Sequence, residues 1–331
     1  MSDLRILQLQ QWLAQQFSPL EPQLKAMNGD AGFRRYFRFS AGHEKFIAVD
    51  SPIDQCNNSA FIEIQRKLIA GHIKVPEIIA VDEKSGFFCL SDLGDNLLSN
   101  DITSENMAQR YQQAIDLLPQ IAQLSPAGLP CYDAAFIKME LTIFIEWLLE
   151  KHLNISLTIQ QHKQLQQSFQ LLINNALEQP QVCMHRDFHS RNLMMLSQGE
   201  LAVIDFQDAV VGPITYDVVS LLRDCYLKWP VEKISPLFCY FCQLMSEQLS
   251  LPVHSHQQWL RWFDLMGLQR HIKASGIFAR LYHRDGKGSY LSDIPLTLSY
   301  IVEISGDYPE LQFLHDFVKE TVVPAALNIE K

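Results

Sequence analysis

The stretch MHRDFHSRNLMML, residues 184–196, followed after a short turn by LAVIDFQD, residues 201–208, constrains the fold more than any other part of the chain. Six polar side chains, His185, Arg186, Asp187, His189, Arg191 and Asn192, fall within eight positions, and Asp205 closes a short apolar run thirteen residues after Asn192. A solvated loop with incidental charges and a catalytic loop both fit the first cluster. The second carboxylate, set at the end of a strand-like run, favours the catalytic loop.

The flanking sequence has two characters. Over residues 4–17 the spacing of Ile6, Leu9, Leu13 and Phe17 predicts a helix. Turn signals at Asn28-Gly29-Asp30 and Ala41-Gly42 punctuate strand-like segments, including Phe33–Phe39 and Phe46–Val49. These predict three antiparallel strands with a glycine-containing loop between the first two. SAFIEIQRKLIAGHI predicts one helix that stops near Gly71, and VPEIIAVDEKSGFFCLSDLG predicts two more strands about Lys84-Ser85-Gly86. Beyond Gly94, residues 104–124, 134–152 and 157–178 read as long helices, and the chain is helical again from about residue 214. The expectation is a bilobal α+β fold. Residues 1–93 form a small β-rich N-lobe with one helix, and residues 94–331 a large α-helical C-lobe that carries the polar loop.

A chain of 331 residues is long enough for two lobes around a real core. Its net charge of −10 argues against a nucleic-acid partner. No run approaches the ~18 unbroken apolar residues of a membrane span, and MSDLRILQLQQWLAQQF lacks the pattern of a secretory signal. Seven scattered cysteines read as reduced thiols of a cytoplasmic protein; separately, no obligate protein partner is expected. Cys239 and Cys242 form C-x-x-C, but His254 and His256 are too close together for zinc-finger spacing, and LFCYFCQLM reads as a buried helix.

The spacing H-R-D-x-x-x-x-N followed by D-F-Q resembles the kinase catalytic loop and its metal-binding D-F-G. The details are closer to the H-x-D-x-H-x-x-N loop of the aminoglycoside phosphotransferase and choline kinase superfamily, through His185, Asp187, His189 and Asn192. VIDFQDAVVGPITYDVVSLLRD is similar to that superfamily's metal-binding strand and Y-D segment, and nothing after Asp205 reads as an activation loop ending in A-P-E. GDAGFRRYFRF, VPEIIAVDEKSGFFCLSDLGD and RHIKASGIFARLYHRDGKGSYLSDIP further resemble the bacterial anomeric kinases of N-acetylmuramate and N-acetylglucosamine that serve cell-wall recycling. This resemblance implies a protein-kinase-like fold, ATP and Mg²⁺ as cofactors, and a small amino sugar phosphorylated on its anomeric hydroxyl.

Roles follow from the resemblance. Asp187 is the expected general base, and Asn192 and Asp205 the metal ligands, hard oxygens suited to Mg²⁺. Asp208 is an outer-shell or substrate candidate. His185 props the metal-binding segment, His189 orients Asn192 or the substrate, and Asp217 sits beneath the loop accepting backbone N–H bonds. Arg186 and Arg191 bring positive charge to the region. Gly29, Asp30 and Gly32 match the loop over the nucleotide phosphates, and Ser91, Asp92 and Leu93 the hinge that holds adenine. FIAVDSP aligns with V-A-I-K, so Ala48 joins the nucleotide-binding set while Asp50 stands where a phosphate-binding lysine is expected. Arg34 and Arg38, on one face of a strand with Tyr36, are the expected substitutes, ahead of Lys45. Arg35 falls on the opposite face. Glu63 matches the acid that pairs with that cation. A second HRD, His283–Asp285, has no asparagine five residues on and reads as a decoy.

Two rivals remain open at this stage. One is a kinase for an aminoglycoside or a choline-like alcohol, whose pocket should be acidic or aromatic-caged. The basic RHIKASGIFARLYHRDGK favours an acidic sugar instead. The other is an inactive nucleotide-binding protein, suggested by the missing lysine.

Overall fold

Leu9 and Leu13 stand one helical turn apart, and in the computed structural model that turn belongs to α1 (Leu4–Gln16), which buries both leucines against a sheet. The structure describes residues 3–18, 22–27 and 32–329. Asp3 caps α1 by accepting the N–H of Arg5. Beyond it lie the strands β1 (Lys25–Ala26), β2 (Arg35–Ala41) and β3 (Glu44–Asp50), the helix α2 (Asn58–Ala70), and the strands β4 (Ile78–Asp82) and β5 (Phe87–Ser91). The strands form one antiparallel sheet in the order β1-β2-β3-β5-β4. Period-2 alternation splits its residues. Phe37, Phe39, Phe46, Ala48, Phe87 and Cys89 pack under α1, while Tyr36, Ile47 and Leu90 face the other way. Asn57 caps α2 through the N–H of Ala60, and the helix ends at Gly71. Gly86, with φ +72°, closes the β4–β5 turn. A Cβ there would meet the Ser51 carbonyl oxygen at 2.0 Å, so no other residue fits.

Division by compactness gives two units, Met1–Thr103 with Ser190–Asp208, and Ser104–His189 with Ala209–Lys331. A single cut near residue 93 therefore does not describe them. The first unit runs on through α3 (Leu98–Asp101) and takes in a later hairpin, because that hairpin hydrogen-bonds to its backbone. Met195 donates to the Asn96 carbonyl at 2.7 Å, and Val203 donates to the Lys74 carbonyl at 2.8 Å.

The second unit is helical. It contains α4 (Met107–Ile115), α5 (Leu118–Ala122), α6 (Ala134–Ile143) and α7 (Ile159–Glu178). Residues 104–124, read as one helix, break between α4 and α5, and α6 runs on as a wider π-helical stretch, Phe144–His152. β6 (Gln181–Met184) precedes the HRD loop. In the first unit, β7 (Leu193–Met195) and β8 (Leu201–Val203) make the hairpin just mentioned. The second unit resumes with β9 (Val210–Pro213), which pairs with β6, then α8 (Tyr216–Leu222), α9 (Val231–Gln248), α10 (His256–Asp285), α11 (Ile294–Gly306), α12 (Gln312–Phe317) and α13 (Val323–Ile329). The thirty-residue α10 is the axis of this unit and buries Trp259, Phe263, Met266 and Phe278. Its Gly276 lets α10 approach the junction of α6 and the π stretch. A Cβ there would lie 2.7 Å from the backbone of Ile143 and Phe144.

No described helix is long and apolar enough to cross a membrane. The class is α+β, with an antiparallel sheet in the N-terminal part and a mostly helical remainder.

Candidate active site

The thirteen-residue spacing between Asn192 and Asp205 is a hairpin. Leu193 pairs with Val203 and Met195 with Leu201, so the residues flanking the two strands meet at its open end. There Ile204 donates its N–H to the Asn192 carbonyl at 3.0 Å, and the Asn192 amide Nδ2 lies 3.4 Å from Asp205 Oδ2. Asp205 has φ +60°, a left-handed conformation that costs a non-glycine residue on the order of 1–3 kcal/mol. Phe206 anchors it, buried and stacked on Phe61 of α2 with centroids 5.0 Å apart.

This hairpin end faces a cavity of about 560 Å³ whose lining lies wholly within the first unit. Asn192, Asp205 and Asp208 line one part of it, Gly32, Arg34 and Tyr36 another, and Ser91, Asp92 and Leu93 a third. Gly29 and Asp30 lie outside the described residues. Arg34 donates to Ser51 Oγ at 3.0 Å, and its guanidinium stands 5.2 Å from the Phe61 ring centre. Among the described residues no carboxylate is at ion-pair distance from Arg34. Arg38 differs. It does not line the cavity, and both Asp92 and Asp95 pair with it, the latter at 2.7 Å, while it also donates to the Gly94 carbonyl. Arg38 therefore fastens the segment after β5, and its charge is spent there.

The alignment with V-A-I-K slips by one face. Ala48 is fully buried under α1, on the side of the sheet away from the cavity. Asp50 lies on that same side, fully buried and held by Arg5 Nε at 2.8 Å and Arg35 Nε at 2.9 Å. A carboxylate so placed does not confront a nucleotide, and the argument for an inactive protein loses its ground. Glu63 is exposed and pairs with Lys67 of its own helix at 3.4 Å, and Lys45 is exposed on β3. Neither lines the cavity.

In the second unit, Asp187 follows β6 on a loop with an unusual backbone. Arg186 has φ +80° and is held there from several sides. Its N–H donates to Asp217 at 2.9 Å, its Nη2 to Glu140 at 2.6 Å, and its guanidinium covers the Phe136 ring at 4.8 Å. Asp217, buried on α8, also accepts the N–H of His185 at 2.7 Å, and burial raises its pKa. His185 is buried edge-on to Phe188 and accepts the Asp187 N–H at Nδ1, 3.3 Å. His189 sits edge-on to Tyr226, with centroids 5.4 Å apart.

Burial alone would raise the Asp187 carboxyl, but the charges of Lys273, Arg186, His189 and Arg270 outweigh it and hold the group well below the usual carboxylate range. Lys273 in turn donates to Tyr216 at 3.0 Å and pairs with the buried Glu140 at 3.0 Å, which also accepts the Tyr132 hydroxyl. Glu140, Arg270 and Lys273 were not singled out in the sequence. They come from α6 and α10; the basic character of RHIK hinted at Arg270 and Lys273, and nothing in the sequence hinted at Glu140.

The second HRD ends α10. His283 meets His152 at 3.1 Å, and Arg284 pairs with its neighbour Asp285. Cys239 and Cys242 lie on α9, and none of the seven cysteines, all among the described residues, forms a disulfide. Among the described residues no cluster of three or more His, Cys, Asp or Glu could hold a metal ion. The donors at the hairpin end, one amide and two carboxylates open to a cavity, fit Mg²⁺, which keeps few protein ligands and fills its shell with phosphate and water. The first unit thus offers a cavity lined by hard oxygen donors and by Arg34, and the second, taken by itself, a carboxylate kept ionised by surrounding cations.

Residues 23–235 match the model of the phosphotransferase enzyme family. The chain is 38% identical over 330 residues to the N-acetylmuramate/N-acetylglucosamine kinase of Pseudomonas putida strain KT2440, covering 96% of this chain and 97% of that protein. It is 37% identical over 326 residues to the kinase of the same name from Neisseria meningitidis serogroup B strain MC58, with 96% of each chain covered. Among solved structures it resembles a choline kinase from Streptococcus pneumoniae, with TM-score 0.63 and 13% identity, covering 89% of this chain and 99% of that one. The ADP- and spectinomycin-bound spectinomycin phosphotransferase is also similar, with TM-score 0.59 and 13% identity over 98% of both chains. At such identity these structures speak for the fold alone.

Proposed function

The chain belongs to the phosphotransferase enzyme family and is a kinase with an alcohol acceptor, and from that premise we propose that it uses ATP and Mg²⁺ to phosphorylate the anomeric hydroxyl of N-acetylmuramate and N-acetylglucosamine in the cytoplasm. The observation that carries the reading is the pair Asn192 and Asp205, 3.4 Å apart at the mouth of a cavity, in a chain alignable nearly end to end with kinases of those sugars.

Asn192 and Asp205 would hold Mg²⁺, with Asp208 as a third oxygen donor nearby. The bound ion would neutralise charge on the phosphates. Arg34 approaches the phosphates from the strand side, and the hinge Ser91–Leu93 contributes to the nucleotide cavity. Asp187 orients the sugar hydroxyl. As the oxygen forms its bond to the γ-phosphorus, the bond from that phosphorus to the β-bridging oxygen breaks, its electron pair leaves with ADP, and the hydroxyl proton passes to Asp187. A carboxylate with so low a pKa is a weak base. That suffices where the proton leaves late, and an anomeric hydroxyl is more acidic than the other sugar hydroxyls because the ring oxygen withdraws charge.

The test is ADP release across a panel of N-acetylmuramate, N-acetylglucosamine, kanamycin and choline, with Mg²⁺ and with EDTA. Turnover of the two amino sugars, lost with EDTA, is expected. Turnover of kanamycin or choline alone would overturn the acceptor, and unchanged turnover in EDTA would overturn the metal.

A further inference from the structure

Several tyrosines of this protein spend their hydroxyl on a neighbour. Tyr111 accepts the Trp229 indole N–H at 3.1 Å, Tyr216 accepts from Lys273 at 3.0 Å, and Tyr308 donates to Asp264 at 2.7 Å. Tyr36 is different. It lines the cavity of the first unit, and among the described residues its hydroxyl has no hydrogen-bond partner. Burial pushes its pKa up to about 12, so near neutral pH the group keeps its proton and is a donor. A donor left unmet on the wall of a cavity is available to an anion that enters it.

The register of the sheet fixes its level. Phe46 of β3 pairs with Ser91, at the start of the proposed hinge, whereas Val49 of β3 pairs with Tyr36. Three residues of strand separate the two levels, roughly 10 Å. Arg34 lies two residues further from the hinge and lines the same cavity. Phe61 ties Arg34 to the proposed metal ligands. The guanidinium stands 5.2 Å from the centre of that ring, and Phe206, next to Asp205, stacks on it at 5.0 Å. Tyr36 thus stands between the hinge and the group formed by Arg34 and Asp205. The charges of both act on its hydroxyl. A nucleoside triphosphate with its base at the hinge carries its phosphates toward this end of the cavity. Val49, opposite Tyr36, has no polar side chain to offer them, and no lysine lines the cavity among the described residues.

We infer that the Tyr36 hydroxyl is a further nucleotide-binding group, donating to an oxygen of the β- or γ-phosphate beside Arg34. The two side chains together supply the contact that no lysine provides, and the hydrogen bond is strengthened by the charge of its acceptor. The inference rests on the nucleotide use proposed above.

The test is calorimetry on the full chain, wild type and Tyr36→Phe, with Mg²⁺ and with AMP, ADP or a non-hydrolysable ATP analogue. The variant keeps the ring and removes only the hydroxyl. Its Kd for ADP and for the analogue is expected to rise about 10-fold or more, as loss of a hydrogen bond to a charged group would. Its Kd for AMP should stay near the wild-type value, which also reports that the variant is folded. In steady-state kinetics KM should rise for ATP and not for the sugar. Unchanged binding of all three nucleotides would overturn the inference. So would an equal loss with AMP, which would put the hydroxyl at the nucleoside or the α-phosphate. A wild-type protein that bound none of the three would instead overturn the nucleotide reading, and this inference with it.

Discussion

Asp187 is a carboxylate that the fold goes to some length to keep ionised. Burial works against the charge, and four cations, two of them on α10, outweigh it. Its folded pKa is lowered, so the ionised form persists as pH falls through the ordinary carboxylate range near 4 and is lost only below it. Asp187→Asn keeps the shape and removes the proton acceptor. It is expected to lower kcat by roughly 10²–10⁴-fold while nucleotide affinity, measured by calorimetry with a non-hydrolysable ATP analogue, stays within a few-fold. A variant keeping most of the wild-type rate would remove Asp187 from its role. The wild-type pH profile should show no acid limb from Asp187 between pH 5 and 7. Among single residues, the ones adjacent in sequence were legible: His185, Asp187 and Asn192 declare themselves by spacing. Glu140 and Lys273 did not, because a lone acid or base on a long helix looks like a solvated face until the tertiary fold buries it.

The strands carry the sharpest lesson. Side chains alternate across a sheet, so an error of one residue in aligning β3 moves every side chain to the opposite face. Asp50 was placed at the nucleotide by such an alignment, yet the structure buries it under α1 between Arg5 and Arg35. Periodicity did identify Arg34, Tyr36 and Arg38 as one face of the second strand. It did not foresee that Asp92 and Asp95, beyond β5, would capture Arg38. The two arginines should therefore behave differently. Arg34→Ala is expected to raise KM for ATP and lower kcat, together reducing kcat/KM by about 10-fold or more, as loss of a charged contact would. Arg38→Ala should act mainly through stability, lowering the melting temperature as Asp92 and Asp95 lose their partner. Equal kinetic defects in the two variants would count against this division. The β7–β8 hairpin was only half legible. LAVIDF read as a strand, whereas LMM is too short to announce itself, and the pairing that joins Asn192 to Asp205 is a tertiary fact.

At the scale of the molecule, a β-rich beginning and a helical remainder were visible in turn signals and periodicity, and the kinase-like fold followed from the motifs. The division into units was not visible as drawn, since Ser190–Asp208 returns to the first unit through backbone bonds to residues over 90 positions earlier. That division runs through the catalytic motif itself: Asp187 belongs to the second unit, and Asn192 and Asp205 to the first. Central to the proposed chemistry is its acceptor, the anomeric oxygen of the sugar. The most direct measurement is turnover of N-acetylglucosamine against its methyl glycoside, with the product tested for reducing power. Free sugar should be consumed to a non-reducing phosphate, and the glycoside, whose anomeric oxygen is blocked, should give no phosphorylated product. A phosphorylated methyl glycoside would contradict the anomeric assignment and move the reaction to another hydroxyl of the ring.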